Sequence, residues 1–193
     1  MIKLTIKRIN RRLFYENIVF NFYLDHIQDD KGYEVKEYFV MQPKNINENG
    51  GGGVAILPII NKKIGLINIY RPPINSYQWE IPHGFMEPDE TEKKAAVREL
   101  VEETGLIVNI ENCTSLGFVT PDAGVIAARV NLFVVESIIE TIDSTYELGL
   151  GKFKFFDISE IKLMVHNSEI QDGFTLVAIF KYLSSSNLVD WKL

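Results

Sequence analysis

The sequence predicts an α/β fold of the α+β kind: an α/β/α sandwich with a mixed sheet, preceded by a small N-terminal antiparallel β region. Three observations predict it. Residues up to Gln42 read as successive strands with no helix between them. Residues 54–70 then hold two apolar runs separated by Asn61-Lys62-Lys63, the pattern of a buried hairpin. Helical spacing first appears only after that, at residues 90–104, and returns near the C-terminus.

Taken in order, Ile2, Leu4 and Ile6 alternate with Lys3, Thr5 and Lys7, and strands are expected over residues 2–9, 17–26 and 33–41. Asp29-Asp30-Lys31-Gly32 supplies a turn between the last two. Residues 45–53 end in four consecutive glycines and read as a linker or mobile loop. The chain therefore divides into an N-terminal β region, residues 1–45, and a second domain, residues 54–193. Within the latter, further strands are expected over 115–120, 130–136 and 153–156, and helices over 159–166 and 173–184. The last of these carries Leu176, Ile179, Phe180 and Leu183 at helical spacing.

With 193 residues, 46% hydrophobic and 24% charged, the chain is long enough for one domain with a full core and a small appendage. A net charge of -6 argues against a nucleic-acid partner or an anionic membrane surface. The densest basic group, Lys7, Arg8, Arg11 and Arg12, reads as solvated residues flanking a strand. A lone cysteine, Cys113, has no internal disulfide partner and reads as a small buried hydrophobe in a reducing compartment. No apolar run is long enough to span a membrane, and the N-terminus has no signal-peptide pattern, so a cytoplasmic protein is expected. His26 and His166 stand at no recognisable ligand spacing.

The segment from Gly84 to Leu106 carries the chemistry. Asp89 is placed to cap a helix with Glu92 as its capping-box partner, and Gly105 to end it, which gives a helix over residues 90–104. At 100° per residue, Ala96, Val97, Leu100, Val101 and Thr104 share one face, while Glu99, Glu102 and Glu103 cluster opposite with Arg98 at the edge. Like charges at this spacing repel, and a hard divalent cation would offset them. Arg98 can hold carboxylates, Glu90 and Glu99 among them, in the orientation such metals need.

The spacing Gly84-x5-Glu90-x7-Arg98-Glu99-Leu100-x-Glu102-Glu103-x-Gly105-Leu106 resembles the Nudix box, G-x5-E-x7-R-E-U-x-E-E-x-G-U with U apolar, at every fixed position. Ile69-Tyr70-Arg71-Pro72-Pro73, Gln78-Trp79-Glu80-Ile81-Pro82-His83-Gly84, Pro121 and Phe14-Tyr15-Glu16-Asn17 are similar to segments of the ADP-ribose pyrophosphatase and NDP-sugar hydrolase subfamily. Two departures stand out: His83 replaces the usual alanine before the box glycine, and the first R-Q of the upstream motif is missing.

The resemblance implies a Nudix-type sandwich and a hydrolase that cleaves the pyrophosphate of a nucleotide sugar with Mg2+ or Mn2+. ADP-ribose is the first candidate, giving AMP and ribose 5-phosphate; GDP-mannose, or an ADP-ribose sensor without turnover, are the alternatives. By the same resemblance, Glu99, Glu102, Glu103 and the backbone carbonyl of His83 hold the metals, and the His83 imidazole is read as incidental. Gly84 and Pro121 shape the substrate site. Arg71 grips a phosphate or ribose, or is a solvated strand-end charge; Glu80 accepts from substrate, or is a local salt-bridge partner. The general base comes from the loop holding Glu140, Asp143 and Glu147, with Glu147, followed by glycines that permit movement, as the choice. The subfamily also implies a homodimer built through residues 1–45, with Phe22 and Tyr23 reaching the partner's nucleotide.

Overall fold

Strong period-2 patterning in β4 (Gly51–Ile60) and β10 (Arg129–Val135) sorts the interior into two layers. Ala55, Leu57, Ile59, Val130, Leu132 and Val134 face one side, and Val54, Ile56, Phe133 and Val135 the other. The computed structural model describes residues 5–145 and 148–185. The first layer packs on two helices through Ile161, Met164, Ala178, Ile179, Tyr182 and Leu183: α2 (Ile158–His166) and α3 (Gly173–Ser185). The second layer packs on Ala95, Ala96 and Leu100 of α1 (Glu92–Thr104). Helices thus cover both faces of a mixed sheet, as the sequence predicts.

The chain forms two units: residues 1–52 with 120–129, and residues 53–119 with 130–193. In the first, β1 (Ile6–Glu16), β2 (Phe20–Asp29) and β3 (Glu34–Pro43) make an antiparallel meander. The turn at residues 29–32 is held by the Asp29 carboxylate, which accepts from the N–H groups of Lys31 and Tyr33. The first strand runs further than its alternation suggests, because its pairing with β2 continues to Glu16↔Asn21 across two bulges; Ile2 and Leu4 of that alternation lie outside the described residues. Residues 120–129 join this unit through backbone bonds on both sides of Met41.

In the second unit, β5 (Lys63–Arg71) follows β4 through Asn61 and Lys62, both with positive φ (50° and 64°), a two-residue turn whose twist suits a hairpin. β6 (Ser76–Glu80) pairs with β5, and β7 (His83–Phe85) with β4. β8 (Leu106–Ile107) pairs with β11 (Glu140–Thr141). β9 (Thr114–Val119) and β12 (Leu150–Asp157) close the large sheet, whose order is β12-β5-β4-β10-β9.

Three expectations are corrected. Gly51, Gly52 and Gly53 are buried strand residues, not a mobile loop. A side chain at Gly53 would press on the Gly84 carbonyl at 3.1 Å, so the glycine lets β7 approach closely. Asp89 does not cap α1: its φ of 62° turns it away, while Thr91 has the extended backbone a cap requires, and its hydroxyl accepts from Lys94 N–H. Arg11 is not merely solvated. It lies directly across from Asp25, grips it through Nε and Nη2 at 2.7 Å each, and sits over the Tyr23 ring. Cys113 is buried, and burial raises its thiol pKa. Among the described residues no helix is long and apolar enough to cross a membrane.

The buried Asp25 gives a pH test. Hydrogen bonds from Arg11 hold its carboxyl below the ordinary 3.8, against burial. A depressed folded value means the stabilisation is full above pH 3.8 and is lost as pH falls through the lower folded pKa. Asp25→Asn should therefore cost about 2 kcal/mol at neutral pH in urea unfolding. The gap to wild type should close in strong acid; a constant gap would refute the pairing's role.

Candidate active site

The backbone puts Gly84 and α1 face to face. β7 hangs on β4 through Ala55↔His83, Val54↔Gly84 and Gly53↔Phe85, and α1 packs across it. α1 buries Ala95, Ala96 and Leu100, and with them Glu99 and Glu103. The acidic side is therefore only partly the exposed face expected; Val97, Val101 and Thr104 are half-buried. The physical reason is Gly84. A methyl at that position would collide with both oxygens of Glu99, so the missing side chain makes room for a carboxylate. Gly105 ends the helix with φ 73°, donating to Val101 O, and Ile142 N–H donates back to the Gly105 carbonyl at 2.8 Å.

Arg98 binds this surface together. Its Nε and Nη2 donate to the two oxygens of Glu90 at 3.1 and 3.0 Å. Nη1 donates to Glu99 Oε1 at 2.8 Å and Glu102 Oε2 at 3.0 Å, and Nη2 also to the Phe85 carbonyl at 2.9 Å. All five N–H bonds of the guanidinium are used. Burial works against ionised Glu90, but Arg98 and the Glu87 N–H outweigh it and lower its pKa; burial likewise opposes the Arg98 charge, and its carboxylates raise its pKa regardless.

A second group adjoins β7. Arg71 donates from Nε and Nη2 to Glu80, the shortest contact being 2.6 Å, and from Nη2 to His83 Nε2 at 2.8 Å. Burial opposes its charge, yet Glu80, Glu103 and Asp172 raise its pKa. So Arg71 is no solvated strand end, and the buried Glu80 is its salt-bridge partner. His83 N–H donates to Glu103 Oε2 at 3.0 Å. Thr145 N–H donates to the Glu102 carbonyl at 2.8 Å, which carries residues 140–145 along α1; Glu147 itself lies outside the described residues. The glycines after it pack closely against β5: Gly149 O accepts from Tyr70 N–H, and a side chain at Gly151 would strike the Asn68 carbonyl. Pro121 is exposed in the 120–129 segment and belongs to the first unit, not the one carrying the other candidates.

Residues 51–170, more than half of the chain, match the NUDIX domain family. The chain belongs to the Nudix family. It is a Nudix pyrophosphohydrolase, similar to ADP-ribose and ADP-sugar pyrophosphatases. The ADP-ribose pyrophosphatase of Bacillus subtilis (strain 168) and the methanol dehydrogenase activator of Bacillus methanolicus are each 26% identical over 179 residues, 90% of either chain. The ADP-sugar pyrophosphatase of Mus musculus is 36% identical over 66 residues, 32% of this chain and 30% of that protein. A crystal structure of an ADP compounds hydrolase superposes with a TM-score of 0.77 at 19% identity, covering 95% of this chain and 97% of the other, and so shares the fold.

Nudix hydrolases generally use divalent metals. The donors here fit a hard cation: all are oxygens, and the space above Gly84 admits the Glu99 carboxylate. Among the described residues no three acidic or histidine side chains form a ready-made cage, because Arg98 bridges Glu99 and Glu102 while Glu103 accepts from His83 N–H.

Two supporting residues escape a motif search. Thr175, fully buried, accepts from Ile81 N–H at 2.9 Å and donates to Asp172 Oδ2 at 2.7 Å, while Thr175 N–H also donates to Asp172. The signal was available: Asp172-x-x-Thr175 is a helix-start pattern at the head of α3.

Gly84→Ala tests the carboxylate space. Glu99 is a flexible chain end that can swing aside, so stability should change by less than about 1 kcal/mol. Turnover should fall on the order of 10²-fold from the misplaced Glu99 carboxylate. Equal activity in thermally matched samples would remove this role from Gly84.

Proposed function

We propose that this Nudix hydrolase cleaves the pyrophosphate of a nucleoside diphosphate linked to a sugar in the presence of Mg2+ or Mn2+, with ADP-ribose as preferred substrate. The observation that carries the reading is the α1 surface, where Arg98 aligns Glu90, Glu99 and Glu102 beside Gly84. The Bacillus subtilis relative matched over 90% of this chain is named for ADP-ribose, which supports the substrate.

A cation held by Glu99, Glu102, Glu103 and the His83 carbonyl would lower the pKa of a bound water and offset charge on the pyrophosphate. Water adds to one phosphorus, the bridging P–O bond breaks, and AMP and ribose 5-phosphate leave. The water's proton passes to a carboxylate that we assign to Glu147, in the loop that Thr145 fastens to Glu102. Arg98 keeps Glu90 ionised and aligns Glu99 and Glu102 through Nη1. Arg71 offers N–H groups to a phosphate or ribose while Glu80 fixes its direction.

The assay is product identification across ADP-ribose, GDP-mannose and UDP-glucose with Mg2+. The kcat/KM for ADP-ribose should exceed the others by at least roughly tenfold, the effect of one lost hydrogen bond to a hydroxyl. Glu102→Gln and Glu103→Gln should lose several orders of magnitude in kcat with the fold intact, and Glu147→Gln on the order of 10²-fold to 10⁴-fold. A faster hexose nucleotide overturns the substrate, and a larger loss in Asp143→Asn or Glu140→Gln reassigns the base.

Residues 1–45 are proposed to pack on a second copy in a two-fold dimer, with Phe22 and Tyr23 near the partner's nucleotide. Supporting this, Ile6, Ile9, Leu13, Tyr15 and Ile18 are exposed, Ile18 by 93%. Light scattering at micromolar concentration should give twice the chain mass; an active monomer excludes it.

A further inference from the structure

The His83 imidazole stands where the family resemblance has alanine, and both of its ring nitrogens are engaged. Nδ1 lies 2.9 Å from the Ile81 carbonyl and Nε2 lies 2.8 Å from Arg71 Nη2. A carbonyl only accepts and a guanidinium only donates. Nδ1 therefore carries the proton and donates to Ile81, and Nε2 accepts from Arg71. The nearest Glu80 oxygen is 3.7 Å from Nε2, beyond hydrogen-bond reach, so the Arg71 contact is the one that Nε2 makes. The ring is itself held. Phe174 of α3 meets it edge-on at 5.4 Å between centroids, and the Ile81 N–H is fixed by the buried Thr175 hydroxyl.

Two groups thus set the direction of one guanidinium. Glu80 takes the Nε and Nη2 edge, and His83 takes the second hydrogen of Nη2. Nη1 has no hydrogen-bond partner among the described residues, and the Arg71 side chain is one-third exposed (34%). A guanidinium held along one edge with its other nitrogen open is arranged to receive an anionic or hydroxylated ligand in a single orientation.

We propose that His83 is a positioning residue: its imidazole accepts from Arg71 Nη2 and, with Glu80, aims the open Nη1 of Arg71 at the diphosphate-sugar substrate. This rests on the proposed function. The side chain acts separately from the backbone carbonyl of the same residue, which a substitution leaves in place, so its loss falls on KM more than on kcat.

Three variants separate the contacts. Glutamine places its amide oxygen near the position of Nε2 and keeps an acceptor for Arg71; asparagine reaches only the position of Nδ1 and keeps the Ile81 contact. With ADP-ribose and Mg2+, His83→Ala and His83→Asn should raise KM about tenfold with kcat within about twofold, the cost of one misdirected charged contact. His83→Gln should restore KM to within about twofold of wild type. Side-chain N–H exchange of Arg71, followed by NMR without substrate, should quicken severalfold in the Ala and Asn variants and return in Gln. An unaltered KM in His83→Ala, or a kcat loss shared equally by all three variants, overturns the proposal. If the wild type hydrolyses none of the nucleotide sugars, the proposed function fails on its own. The exchange rates then decide His83, and equal rates in all four proteins overturn its role.

Discussion

A single guanidinium with every N–H occupied holds the acidic surface of this protein together. Without Arg98, Glu99 and Glu102 would face each other as like charges on adjacent turns of α1, and Glu90, which precedes the helix, would have lost its anchor. The planar fork suits the task in a way a lysine ammonium would not, since it binds two carboxylate oxygens along one edge and still reaches the Phe85 carbonyl. That last contact ties α1 to β7, and β7 is tied to β4. The acidic side chains are thereby referenced to the central sheet and not to a loop.

Arg71 is the counterpart, and its environment differs in kind. Arg98 is saturated, whereas Arg71 is fixed along one edge by Glu80 and His83 and keeps Nη1 outside those contacts. Both arginines carry raised pKa values despite burial, because their carboxylate neighbours outweigh the cost of leaving water. One organises other groups of the protein; the other is itself held in place by them. The sequence motif names both positions but does not distinguish these situations, since the difference lies in partners contributed by residues far apart in the chain.

How much was legible depended on whether the cause was local. The spacing from Gly84 to Gly105 located the helix, its stop and the Arg98 partners, because all of these follow from helical geometry over neighbouring turns. The apolar runs over residues 54–70 located the buried hairpin of β4 and β5, though not which of its residues face which core layer. What local pattern missed were effects of distant chain. Gly53 reads as flexible by composition and is buried in β4, where β7 needs its bare backbone. Arg11 reads as solvated because Asp25 comes from the next strand. His83 reads as incidental because its partners include Phe174, and the Ile81 that it holds is fixed in turn by Thr175.

The Thr175 hydroxyl and the Ile81 N–H it receives are 94 residues apart, so the two halves of the site close over very different lengths of chain. A chain that has left the ribosome only as far as Gly105 already contains the acidic helix and the strand it packs on. It lacks α3, and therefore has nothing to hold the Ile81 backbone or to seat the His83 ring. The two halves of the site therefore differ in reach: the Arg98 contacts close within residues 85–102, and the brace behind Arg71 draws on residues 80–83 and on Thr175 far along the chain.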